Sequence, residues 1–182
     1  RGQVAIANTV GFVHVVVDAV GYYRSDGDTY VPLTPGRILD SRHGTGGFDT
    51  PWGAKESRDL RVTDVGGVPA DATAVVMNVT AVQPTAATHL TVWPAGATKP
   101  TASSLNLPAG DIRPNLVVSK VGVDGKVSIS NNAGQVDVVA DVAGYYVDGP
   151  SGAVYRPVGP ARVLDSRKGT GGFSTPWPAA TD

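Results

Sequence analysis

The chain contains the same passage twice. Tyr30 to Trp52 reads YVPLTPGRILDSRHGTGGFDTPW, and Tyr155 to Trp177, 125 residues on, reads YRPVGPARVLDSRKGTGGFSTPW. The stretch before it also recurs: Val4 to Tyr23, VAIANTVGFVHVVVDAVGYY, aligns with Val127 to Tyr146, VSISNNAGQVDVVADVAGYY, at a shift of 123. Segments that return at a domain-sized spacing mark modules. The phase predicts three pieces: Arg1–Tyr23 as the C-terminal strands of one module, Tyr30–Tyr146 as a complete module, and Tyr155–Asp182 as the N-terminal part of a third. Linkers are expected at Arg24–Thr29 and Val147–Val154. On this reading the sequence is a window on a longer array, and the lack of a leader segment says nothing about export.

Composition narrows the class of fold. Fifteen basic and sixteen acidic side chains leave a net charge of -1, with no basic block to follow a phosphate backbone, which argues against nucleic acid as a partner. Helix formers are scarce, Glu56 being the only glutamate, whereas Val, Thr, Gly and Pro abound. The chain reads as all-β. There is no cysteine, so a packed core must hold each module, and about 120 residues suffice for one. The most apolar stretch, Val10 to Tyr23, is broken by His14 and Asp18, so no membrane span is expected in this window.

Within the complete module, short alternating runs lie between turn residues. They are Arg37 to Arg42, Asp59 to Thr63, Ala74 to Val82, His89 to Trp93, Ser103 to Leu107, Asn115 to Val121, Lys126 to Ser130 and Val136 to Tyr146. Alternation places Val75, Met77, Val79 and Ala81 on one face. Asp124-Gly125 reads as a hairpin turn and Asn132 to Gly134 as the next turn, which would make the last three runs a meander. Two antiparallel sheets packed face to face fit this count, as tandem β-sandwich repeats with a period of 123–125 residues. A jelly-roll and an immunoglobulin-like strand order both remain open.

Several motifs in order, Arg37 to Arg42 (RILDSR), Gly66 to Pro69 (GGVP), Val76 to Thr80 (VMNVT), Thr91 to Pro94 (TVWP), Asn115 to Val117 (NLV) and Asp141 to Tyr146 (DVAGYY), give the chain a resemblance to a known module. It resembles a tandem module of large secreted and wall-associated proteins of high-GC Gram-positive bacteria. The resemblance spans essentially the whole chain, implies an exported or cell-surface protein, and carries over no catalytic residue. Ser41 and Ser166 stand where many members have Thr, a change that keeps the hydroxyl.

Two constellations could carry chemistry. Arg37, Asp40 and Arg42, repeated as Arg162, Asp165 and Arg167, set a carboxylate between guanidiniums on a strand. This is either an anion site or, as an Asp in an apolar strand suggests, a structural ion-pair clasp at a module junction that also engages Asp18 or Asp141 of a preceding strand. The second constellation is aromatic: Trp52, Trp93, Tyr22, Tyr23, Tyr145, Tyr146 and Trp177 either stack on sugar rings or cement successive modules. Adjacent tyrosines on a strand must face opposite ways.

Other signals are weak. The Gly44 to Gly47 loop (GTGG) lacks the Lys and following helix of a phosphate loop. His14 and His43 are replaced by Asp137 and Lys168 in the other copies, which argues against a histidine metal centre or a base that every module needs. Asp26, Asp28 and Asp148 lack the spacing of a calcium loop, so no cofactor is expected, with calcium at a junction kept as the one alternative. The expected function is therefore a non-catalytic structural repeat of a stalk, spacer or fibre, in contact with neighbouring modules. A carbohydrate- or wall-binding module is the second reading, and a self-assembling subunit that exchanges strands between chains, starting from Val4 to Tyr23, is the third.

Overall fold

A computed structural model describes residues 6–24, 27–149 and 154–179. The chain divides into two compact units, one of Val20–Pro160 and one formed by Arg1–Ala19 together with Ala161–Asp182. No helix among the described residues is long and apolar enough to cross a membrane.

Ten strands follow one another: β1 (Val16–Arg24), β2 (Asp28–Asp40), β3 (Ser57–Arg61), β4 (Ala74–Val82), β5 (Thr88–Pro94), β6 (Leu105–Leu107), β7 (Ile112–Lys120), β8 (Lys126–Asn131), β9 (Asp137–Asp148) and β10 (Val154–Asp165). In the larger unit the eight strands β2 to β9 form two antiparallel sheets, β2-β9-β4-β7 and β3-β8-β5-β6. This is an all-β, sandwich-like arrangement. Its first and last strands, β2 and β9, lie side by side from Asp28↔Asp148 to Asp40↔Val139.

The core follows from alternation. Val75, Met77, Val79 and Ala81 of β4 are all fully buried, joined from the same sheet by Val138, Ala140 and Val142 of β9. Leu60, Leu90, Val92, Val127 and Ile129 meet them from the other sheet. The opposite face of the first sheet carries a smaller cluster in which Tyr146 packs on Ala74 and Val76. Tyr145 turns instead to the main core, so the two tyrosines do face opposite ways.

One expectation is corrected. Asp124 and Gly125 both have positive φ, 56° and 69°, as the reversal requires. The strands on either side nevertheless lie in different sheets, β7 with β4 and β8 with β3 and β5, so neither a hairpin nor a meander forms. The cause is the preceding Gly122, which runs against the end of β5. A Cβ there would stand 2.2 Å from the Ala95 nitrogen, and Val123 N donates to the Ala95 oxygen at 3.0 Å. Turn residues fix the reversal, while this close approach fixes which sheet receives the next strand.

The strands also run beyond the alternating segments. Pairing of Asp28 with Asp148 takes up parts of both expected linkers, because main-chain pairing needs no apolar alternation.

Candidate functional site

The LDSR motif lies at the end of β2, where Arg37 stands directly opposite Asp141 of β9. Cross-strand opposition of opposite charges favours the pair. Arg37 Nε donates to Asp141 Oδ1 at 2.6 Å and its Nη1 to Asp40 Oδ2 at 3.0 Å. Arg42, just past the strand, returns to Asp40 in a fork, Nε to Oδ1 at 2.8 Å and Nη2 to Oδ2 at 2.7 Å, while its backbone N–H reaches Oδ1 at 3.1 Å. Two carboxylates and two guanidiniums thus form one charge-balanced chain, Asp141–Arg37–Asp40–Arg42. The bidentate contact is the strong form of such a bond.

Asp40 is 2 % exposed although it ends an apolar strand. Hydrogen bonds from Arg42 hold its carboxyl far below the usual carboxylate range, so it stays ionised. Every oxygen lone-pair direction that the arginines and the backbone occupy is lost to a ligand. Beside it, Ser41 Oγ donates to Asp137 Oδ1 at 2.6 Å and accepts the Val138 N–H at 3.0 Å, which gives the hydroxyl of this position a role in joining β2 to β9. The loop after it folds back through an Asp40↔Thr45 bridge.

The smaller unit carries the second copy. Arg162 Nε donates to Asp18 Oδ1 at 2.9 Å and Nη1 to Asp165 Oδ2 at 3.2 Å; Arg167 forks onto Asp165 at 2.9 and 2.8 Å. Asp165 is fully buried and is held ionised by Arg167, its nearest donor. Ser166 Oγ accepts the Val15 N–H and meets His14 Nδ1, each at 2.9 Å, so His14 takes the place that Asp137 holds in the first copy. The His-for-Asp exchange preserves a hydrogen bond. The expected junction clasp with the preceding DAVGYY or DVAGYY strand is corrected: Arg37 does not take Asp18, nor Arg162 Asp141, because the strand arginine bonds to the strand that lies beside it. Arg37 takes Asp141, 104 residues ahead, and Arg162 takes Asp18, 144 residues behind.

The aromatic residues divide between core and surface. Trp52 is completely buried, donates Nε1–H to the Ile129 oxygen at 3.0 Å, and lies edge-on to Phe48 with ring centroids 5.3 Å apart. Arg58 covers it, 4.4 Å from the ring, while tied to Glu56 and to the Thr50 and Pro51 carbonyls. Trp93 is 6 % exposed with its N–H bound to the Ala97 oxygen. Both rings are packed inside the larger unit, so of the two readings for this pair, stacking on sugars or cementing successive modules, neither finds an open ring face. Tyr22 is half-exposed, and the Tyr23 side chain, like Asp26, lies outside the described residues. In the DVAGYY motif, Gly144 leaves room for Tyr30, whose hydroxyl donates to the Ala143 oxygen; a Cβ on Gly144 would stand 2.4 Å from that hydroxyl.

The sequence did not reveal Asn131. It is fully buried, its Nδ2 donates toward the carbonyls of Trp52, Gly53, Ala133 and Gly134 at 3.0–3.1 Å, and Thr88 Oγ1 donates to its Oδ1 at 2.6 Å. It therefore holds the Trp52 loop, the β8–β9 turn and β5 together. In the sequence it stands beside Asn132 as an ordinary turn residue. Replacing Asn131 by Ala strands several of these groups and should cost about 2 kcal/mol, read from a urea melt.

A cleft of about 510 Å³ opens at the β5–β6 end of the larger unit, lined by His89, Asn106, Leu107, Arg113 and Asn132 among others. Arg113 there donates to Asp111 and to the Asn106 carbonyl. Among the described residues no three His, Asp or Glu side chains converge as a cation site. In comparisons with known proteins, no family model and no curated protein matches the chain.

Proposed function

We propose that the chain is a non-catalytic structural repeat of a secreted or cell-surface protein, built as one of a series of β-sandwich modules in a stalk, spacer or fibre. The observation that carries this reading is the clasp. The charged side chains that the sequence marks out bond to one another in both copies, and in the larger unit they tie its first strand to its last. A module closed in this way resists opening from its ends, where tension along a stalk would act. The two buried tryptophans support the same reading, since each spends its N–H inside the fold.

The cleft at His89, Asn106, Arg113 and Asn132 favours a second reading, a carbohydrate-binding module. Its amides and guanidinium are the groups that bind sugar hydroxyls, although no Phe, Tyr or Trp lines it. Co-sedimentation with insoluble cell wall and a panel of polysaccharides separates the two. A structural repeat stays in the supernatant with every polymer. Retention that Arg113→Ala abolishes, with the melting temperature unchanged, would transfer the assignment to the cleft. Trp93→Ala is unsuited to this test because Trp93 is part of the packed structure.

A further inference from the structure

The first and last strands of the larger unit are entered and left at the same point. β2 begins at Asp28, β9 ends at Asp148, and these two residues are partners in the ladder. Tension passing along the chain therefore enters at one end of the β2–β9 pair and separates its rungs in succession, Asp28–Asp148 first, instead of loading all of them at once. β9 is also paired with β4 from Tyr146 inward, so β2 is the strand that lifts away.

The rungs met in this order are unlike. Pairing is regular from Asp28 to Pro32, is interrupted where Leu33 to Pro35 span the place of Ala143 alone, and resumes at Gly36↔Val142. Pro32 and Pro35 have no N–H to give to the ladder. Between Asp28 and Arg37 only Asp28 is buried. The side-chain ties of this outer stretch are the Thr73 hydroxyl on Asp28, Tyr30 against Tyr146 and the Ala143 carbonyl, and the partial packing of Leu33. The next rung is Arg37↔Asp141, where the guanidinium holds Asp141 at 2.6 and 3.2 Å and is tied through Asp40 to Arg42. Behind it Ile38, Leu39 and Asp40 are 6 %, 0 % and 2 % exposed. Solvent-facing pairing thus gives way to charged and buried pairing at a single residue.

We propose that the larger unit is a two-stage extensible element: load peels Asp28–Gly36 off β9, the Arg37–Asp141 rung stops the opening, and the strand pairs again when the load falls. A stalk of such repeats lengthens without unfolding its cores, because sub-global opening draws on the least stable part of a fold and leaves the rest in place. Opening as far as Arg37 frees about 30 Å of chain and lets about 20 Å of β9 turn into line, so each repeat yields roughly 50 Å. The origin of the load rests on the structural-repeat reading above. The two stages rest only on the register and burial of β2.

The test holds the full chain by its two ends in optical tweezers. β1 and β10 lie nearest those ends and part first, with the Asp28↔Tyr155 pair. Arg162→Ala, in the clasp of the smaller unit, should lower the force of that step and so identify it. The larger unit should then open in two steps, the first of roughly 50 Å and recurring on repeated pulls, the second releasing everything from Arg37 to Asp141. Arg37→Ala and, as the milder change, Asp141→Asn should each abolish the pause, so that the larger unit opens in one step. A parent whose larger unit opens in one step overturns the proposal. So does a pause that survives either substitution, since Ile38 and Leu39 would then be the stop. Both failures leave a rigid stalk as the structural reading, whereas retention on a polysaccharide would remove that reading and leave the two steps untouched.

Discussion

Trp52→Ala should be the most damaging single substitution in the larger unit, lowering its unfolding free energy by about 3–5 kcal/mol. The side chain is fully buried and sits where a loop from β2 crosses to the second sheet. Truncation leaves a cavity between the sheets, strands the Ile129 carbonyl, and removes the ring on which Arg58 lies. The backbone bonds of Trp52 to Val136, at 2.9 and 3.1 Å, hold the loop to the start of β9, so loosening the side chain also weakens the entry to the clasp strand. Trp52→Phe keeps an aromatic body against Phe48 but not the N–H, and should cost roughly a third as much. Denaturant melts of both variants give the two values. If Trp52 were instead a sugar platform, Trp52→Ala would leave the melt unchanged and remove only binding.

How far the sequence could lead is seen by following particular residues. The strand β4 was legible because Val75, Met77, Val79 and Ala81 alternate with less buried neighbours, and a strand has no other way to hide every second residue. The destination of β8 was not. Asp124 and Gly125 announce a reversal, but the sheet that takes the next strand depends on Gly122 passing Ala95, a contact between residues distant in sequence.

The clasp was half legible. Its Arg–Asp–Arg spacing is local, and an Asp in an apolar strand demands a cation. Asp18 and Asp141 could be named as partners, but that Arg37 takes Asp141, and not Asp18 of the strand before it, follows only from β2 and β9 being neighbours. For the tryptophans, the sequence left sugar stacking and inter-module packing both open. Burial is decided by the loop folding inward, with Asn131 holding the Trp52 and Gly53 carbonyls from the other sheet. Asn131 itself gave no signal, since a buried amide hub and a turn asparagine look alike in sequence.

Asp40→Asn should destabilise the larger unit by about 2–3 kcal/mol at neutral pH, less than the full effect of breaking a buried ion pair. The discount has a structural reason: the side chains of Arg37 and Arg42 are 44 % and 40 % exposed and can rehydrate once the carboxylate is gone. The pH dependence distinguishes an ionic clasp from mere packing. The Asp40 carboxyl is held well below its ordinary 3.8, so its stabilisation is fully present above that value and is lost as pH falls through the lower, folded-state value. The gap between parent and Asp40→Asn should therefore be constant from neutral pH down to about 5 and close progressively below about 4. The parent's own acid slope is not diagnostic, because Arg58 depresses Glu56 as well and that contribution is common to both proteins. Only the difference between the two curves isolates Asp40. A gap that stays constant into acid would mean the carboxylate matters for its shape alone. No gap at neutral pH would mean that β2 and β9 are held by main-chain pairing, and the clasp would cease to explain why both copies carry it.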